Sequence, residues 1–213
     1  GFYVDLVRQC GPPGVTSHGH NECRALFATG KAAIWVDATV AASYMFDPSE
    51  SKVANAVAFA PAPVHKTATG CRWLWSWALA VPATSRHAPE AKRFVHWATS
   101  KDYIRLVART EGWSSAPPGT RRSTYEEPAY LKAAPFAGLT LEAIEAADPN
   151  RPTDKPVPYT GIQYVSIPEF QAIGTQVGQL IAAAVAGDQT VEQALRAAQQ
   201  AVERTMRRAG YFK

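Results

Sequence analysis

No apolar run in this chain approaches the roughly 18 residues that a membrane-spanning helix requires. Its start also lacks the basic, apolar and small-residue stretches that together make a secretory leader. An opening Gly-Phe-Tyr-Val without Met is what a processed product or a fragment would show. Cysteine is scarce. Cys10, Cys23 and Cys71 have no C-x-x-C spacing, which excludes the usual zinc and dithiol signatures. A Cys10–Cys23 bridge across Gly11-Pro12-Pro13-Gly14 and two free thiols are both compatible with the spacing. Charge is thin as well: 22 Lys and Arg face 18 Asp and Glu, a net +4 scattered over 213 residues. The densest basic cluster, Arg204, Arg207 and Arg208, ends a predicted helix and there complements its dipole. With the aromatics elsewhere, the footprint of a nucleic-acid binder is missing.

Catalytic signatures are equally sparse. The chain has no G-x-S-x-G elbow, no G-x-x-x-x-G-K-[ST] phosphate loop and no G-x-G-x-x-G turn. Within His18-Gly19-His20-Asn21-Glu22-Cys23, the H-x-E fragment mimics half of a zinc deaminase, but no P-C-x-x-C follows. That stretch reads better as a polar loop capping the next helix. Asp37 is the carboxylate best placed for a functional role, because it follows an apolar run at its carboxyl end.

What is present is the balance of a folded chain: 46% hydrophobic and 19% charged residues, enough for one large domain or two small ones. Sixteen prolines and six tryptophans exceed what a simple helix bundle uses. The first nine residues read as a helix stopped by Gly11-Pro12-Pro13, and residues 22–29 as a short helix ended by Gly30. Three apolar runs predict buried strands: residues 32–36, 57–60 and 72–81. In the last, Trp73, Trp75, Trp77, Leu79 and Val81 share one face at the two-residue period. Helices are expected from about Pro89, around Tyr103–Val107 and in short pieces over 125–148. A proline-rich connector follows. Two final helices carry inward stripes, Phe170, Ile173, Val177, Leu180 and Ile181 on the first and Val191, Leu195, Ala198, Val202 and Met206 on the second, with a capping box at Thr190 and Gln193. Their short Gly187-Asp188-Gln189 link makes them antiparallel neighbours.

Three tryptophans in alternation make a broad flat surface of the kind that binds the apolar faces of a carbohydrate-like ligand. Asp37, Arg121, Arg122, Tyr159, Gln163 and Tyr164 are polar groups that could aim at its hydroxyls.

Residues 27–39 (FATGKAAIWVDAT) resemble the F-x-x-G-K-x-A-M-x-x-D signature of extracellular solute-binding proteins of ABC transporters, maltose-binding-like family 1. Residues 70–82 (GCRWLWSWALAVP), 117–125 (PPGTRRSTY), 187–195 (GDQTVEQAL) and 209–211 (AGY) resemble the same family. Residues 156–170 (PVPYTGIQYVSIPEF) are most similar to the polyol binders for sorbitol and mannitol. The resemblance implies an α/β fold of the periplasmic-binding-protein type II kind, two lobes with a ligand cleft between them. Members of the family are about twice this long. The resemblance therefore implies a C-terminal lobe largely present and an N-terminal lobe mostly missing. By analogy, residues 1–56 and 129–213 fall to the C-terminal lobe and 57–128 to the N-terminal one.

The same resemblance implies a non-catalytic receptor that captures a sugar or polyol and delivers it to a membrane permease. It needs no cofactor, metal or nucleic acid and works as a monomer, periplasmic or extracellular, with a lipid tether an option for the full-length protein. Asp37, Trp73, Trp75, Arg121 and Tyr164 are the expected ligand-binding residues. A fragment of a glycoside hydrolase, which needs an essential carboxylate pair, and a non-binding structural fragment are the competing readings.

Overall fold

The computed structural model describes residues 1–65, 74–117, 119, 121–153, 155–157, 159–161 and 164–211. Among these the regular elements are α1 (Phe2–Cys10), α2 (His20–Ala28), α3 (Ala42–Met45), α4 (Ala88–Ala98), α5 (Lys101–Thr110), α6 (Arg122–Tyr125), α7 (Pro128–Ala133), α8 (Ala137–Ala146), α9 (Phe170–Ala186) and α10 (Val191–Arg208), with 3-10 turns at Val15–Ser17, Thr39–Ala41 and Trp113–Ser115. They form two compact units. The terminal unit comprises Gly1–Cys23 and Tyr164–Lys213; the central unit is Arg24–Gln163.

The helix stops and starts follow the local signals. α1 ends against Gly11 and two prolines, and Gly30, beyond α2, adopts φ 76. Pro89 occupies the first turn of α4, where its missing N–H costs nothing. The three predicted strands are a different matter. Residues 32–36, 57–60 and the described part of the third run, 74–81, have no strand structure, and no strand occurs among the described residues. A strand's backbone groups are satisfied only across a ladder to another strand, so strand periodicity in sequence specifies a strand only where a sheet is available.

In the terminal unit α9 packs on α10, with α1 against α9. Gly187, at φ 97, turns the chain out of α9, and the Gln189 side-chain amide donates to the Leu180 carbonyl at 2.8 Å. The Thr190 hydroxyl accepts from the Gln193 N–H while the Gln193 side chain accepts from the Thr190 N–H, completing the capping box. The antiparallel neighbours are as expected, and so is much of the stripe: Ala198 is buried, and Val177, Val191, Val202 and Met206 are half-buried. Leu195 departs from it, 55% exposed, and Ala194 and Ala201 are the other buried positions of α10. Alanines at i, i+4 and i+7 let the helices approach closely, and that contact rotates Leu195 away. Arg8 of α1 donates to the carbonyls of Ala184 and Val185, covering the negative end of α9.

The central unit is built on aromatic rings. Phe46 stacks on Phe59 at 5.1 Å, Phe136 lies 5.7 Å from Phe59, and Tyr125 meets Tyr130 edge-on at 5.9 Å. Around them Ala42, Ala116, Ala134 and Ala137 fill the remaining space. The Tyr125 hydroxyl donates to the Gly119 carbonyl at 2.9 Å. Tyr130 is fully buried, and its hydroxyl has no hydrogen-bond partner among the described residues. Burial, with a smaller contribution from Tyr125, pushes the Tyr130 hydroxyl up to about 12.

Overpacking at Ala198 should therefore matter and truncation at Leu195 should not. By urea unfolding, Ala198→Leu is expected to cost about 1–3 kcal/mol, while Leu195→Ala stays within about 0.5 kcal/mol. The reverse order would put Leu195 in the interface. For the central unit, Tyr130→Phe removes a buried hydroxyl that makes no bond, so stability should hold or rise; a loss above about 1 kcal/mol would reveal a bonding partner. The folded tyrosine titrates above its unfolded value near 10, so its contribution is intact below that pH and is lost as pH climbs from about 10 towards about 12. Tyr130→Phe should flatten that part of the stability profile.

Candidate functional site

Asp37 ends the apolar run 32–36 and precedes the 3-10 turn at Thr39–Ala41. Its carboxylate is exposed and accepts the Ala38 N–H at 2.6 Å. A carboxylate offers about four acceptor positions in all. Immediately before it, Trp35 is half-buried against Phe27, ring centroids 6.1 Å apart, while Ile34 and Val36 face outward. Only Ile34, Trp35 and Val36 alternate out, in and out; Ala33 is exposed as well, and the run is not a strand.

Trp75 is partly exposed and meets Trp77 edge-to-face at 5.4 Å. The two rings do lie together, as the two-residue period requires. Trp77, which sequence reasoning used only as part of the face, is 85% exposed. Trp73 lies outside the described residues. Arg121 precedes α6, and its Nε donates to the Thr99 carbonyl at 2.8 Å, tying the loop to the end of α4. Arg122, its neighbour, pairs with Glu145 at 2.9 Å. Tyr164 belongs to the terminal unit, half exposed, with its ring 6.4 Å from that of Phe170. Asp37, Trp75 and Arg121 belong to the central unit.

Concavity gives little guidance. A cleft of about 60 Å³ in the central unit is lined by Lys101, Ile104, Arg105, Trp113, Ser123, Thr124 and Glu127, none of them an expected ligand residue. It is well below the roughly 300 Å³ at which small-molecule pockets begin. The histidine-rich stretch before α2 is used structurally: the Gly19 N–H donates to Glu22 Oε2 at 2.8 Å, and the Cys23 N–H reaches the Gly19 carbonyl. Among the described residues no group of three His, Cys, Asp or Glu is arranged to hold a metal ion, and Cys10 and Cys23 are free thiols.

The family profile of bacterial extracellular solute-binding proteins matches residues 1–104. A mannitol-binding protein of Pseudomonas aeruginosa is 59% identical over 212 residues, which is 100% of this chain and 48% of that protein. The chain is similar to bacterial extracellular solute-binding proteins. A crystal structure of another solute-binding protein, an ABC transporter component of Agrobacterium vitis with bound D-mannitol, matches with a TM-score of 0.93 and 57% identity, covering 98% of this chain and 50% of that one. A probable amino-acid ABC transporter periplasmic-binding protein of Sinorhizobium fredii is 27% identical over 212 residues, 100% of this chain and 44% of that protein. The chain thus spans about half the length of the curated relatives it matches. Its helices are part of a type II periplasmic-binding-protein fold. No helix among the described residues is long and apolar enough to cross a membrane.

The cap on α2 can be tested by titration. Backbone hydrogen bonds, its own N–H and that of Gly19, hold the Glu22 carboxyl below the ordinary glutamate value, with His18 adding a smaller pull. A depressed folded value means that the cap contributes at neutral pH and is lost as pH falls through it. Carboxyl-carbon NMR should find Glu22 titrating below the glutamate of an unstructured peptide. Amide exchange in the first turn of α2 should quicken over the same range, and Glu22→Gln should abolish that step. A Glu22 that titrates like the peptide would remove the cap.

Proposed function

We propose that this chain contributes to the capture of a sugar alcohol, D-mannitol or a close stereoisomer, for import through an ABC transporter, without chemical turnover. The observation that carries the reading is the likeness, near 60% identical, to a mannitol-binding protein and to a solute-binding protein solved with D-mannitol in place. The relative named for amino acids is far less similar, which favours the polyol. On this reading the partner is the membrane permease and the protein acts as a monomer, periplasmic or extracellular, free or lipid-tethered in its full-length form. Residues 1–56 and 129–213 are assigned to the C-terminal lobe and 57–128 to the N-terminal lobe.

Within the reading, Trp75 and Trp73 offer faces to the carbon chain of the polyol, and Asp37 accepts from two hydroxyls. The Arg121 guanidinium, with one N–H engaged by Thr99, keeps other donors for a further hydroxyl. Tyr164 is assigned on residue chemistry and on the resemblance of its segment to polyol binders. An Arg fork and a carboxylate together grip vicinal hydroxyls better than neutral groups would.

The test is calorimetric titration with D-mannitol, D-sorbitol, D-arabitol and D-glucose. It uses a single polypeptide in which this chain replaces the matched half of the Agrobacterium vitis protein, with a product assay alongside. Binding of a polyol with no product is the expected result; no heat with any of the four, or product formation, overturns it. Losing a charge-assisted hydrogen bond costs about 1.5–3 kcal/mol, so Asp37→Asn should weaken binding roughly ten- to a hundredfold. Trp75→Ala should do at least as much, and Arg207→Ala, at the exposed end of α10, should change nothing. Unchanged affinity in the first two would move the site elsewhere.

A further inference from the structure

The cleft of about 60 Å³ in the central unit is too small for a polyol but large enough for an ion. A buried water takes about 10–15 Å³ of such space, so the cleft holds about four to six water-sized groups, the extent of one tetrahedral oxyanion. Its apolar walls are fixed. Ile104 and Trp113 also pack against the aromatic core, with Trp113 6.5 Å from the Tyr130 ring. Lys101 and Arg105 line it from α5 and, four residues apart, share one face of that helix. Lys101 has no ion pair among the described residues, and Arg105 reaches Asp102 only at 3.9 Å, in an exposed pair that contributes little. Ser123, Thr124 and Glu127 complete the lining. Thr124 is only 5% exposed, yet its hydroxyl has no hydrogen-bond partner among the described residues. A mostly enclosed hydroxyl without a protein partner is a group that a ligand in the cleft can satisfy. The Ser123 hydroxyl and the Glu127 carboxylate are equally uncommitted among the described residues.

We propose that this cleft binds one hydrogen phosphate ion. Lys101 and Arg105 supply positive charge and N–H donors, and the Ser123 and Thr124 hydroxyls donate as well, which matches the acceptor oxygens of an oxyanion. Glu127 decides which oxyanion. An ionised carboxylate only accepts hydrogen bonds, so it repels a fully deprotonated ion such as sulfate and accepts from one that keeps an O–H. Two cations against one carboxylate leave the lining positive, as an anion requires. The proposal does not rest on the polyol reading, because none of the residues assigned to the polyol lines this cleft.

The experiment titrates the chain, without polyol and at fixed ionic strength, with sodium phosphate, sodium sulfate and glycerol 3-phosphate, read by amide and indole NMR shifts. At about pH 8 hydrogen phosphate keeps one O–H, whereas sulfate and the monoester, whose last proton leaves at about pH 6, have none. Expected are saturable shifts with phosphate at residues 101–105, 113 and 123–127, and binding of the other two weaker by about tenfold or more. Lys101→Ala and Thr124→Val should each weaken phosphate by about fivefold or more. Because Lys101 is exposed, its variant reads the site even if Thr124→Val fails to fold. Glu127→Gln should bring sulfate to within about twofold of phosphate, since an amide can donate as well as accept. Arg109→Ala, one turn further along α5 and outside the lining, should change nothing. Shifts that stay linear in phosphate, or equal loss in Arg109→Ala, overturn the proposal as a diffuse response to ions. Sulfate or monoester binding as tight as phosphate also overturns it, as does a phosphate preference that survives Glu127→Gln. Because no polyol is present, failure here and failure of polyol capture are separate results.

Discussion

A helix satisfies its own backbone, while a strand depends on a neighbour. This asymmetry governs which parts of the chain carry regular structure. Every element that needs only itself and one packing face is formed, from α1 to α10. Of the apolar runs with strand character, the first packs Trp35 on Phe27 and the second packs Phe59 on the rings of Phe46 and Phe136. Ile34, Val36, Leu74, Trp77 and Leu79 are exposed.

The two units are stabilised in different ways. In the terminal unit close approach of small side chains packs the last two helices, and Arg8 ties α1 to the carboxyl end of α9. In the central unit the short helices α3 and α6–α8 gather around aromatic rings, Phe46 just after α3, Tyr125 in α6, Tyr130 in α7 and Phe136 just before α8, with Phe59 packed among them. Rings suit this job because one side chain of large area can serve several short elements at once. The unbonded Tyr130 hydroxyl is a cost the cluster tolerates because the ring itself is fully enclosed.

The residues proposed for ligand binding lie where packing leaves side chains outside. Asp37, Trp75 and Arg121 are exposed, Asp37 accepting from the Ala38 N–H, Trp75 against Trp77 and Arg121 donating to the Thr99 carbonyl. The stretch from His18 to Cys23 shows the opposite outcome. Metal-capable residue types are grouped there, yet Glu22 is turned back onto the Gly19 N–H as a helix cap.

Local rules were legible without coordinates. The stop at Gly11, the left-handed Gly187, the proline-led start of α4 and the Thr190–Gln193 box all depend on a few adjacent residues. The likeness to solute-binding proteins was legible too, because the motifs that carry it are spread along the chain. What sequence could not decide was set by partners distant in the chain. Whether 32–36, 57–60 and 74–81 become strands depends on neighbouring strands, and periodicity carries no information on their presence. The face that α10 buries depends on how near α9 can come: Ala198 of the expected stripe is buried, but tertiary contact put Ala194 and Ala201 beside it in place of the larger Leu195 that hydrophobicity alone favoured.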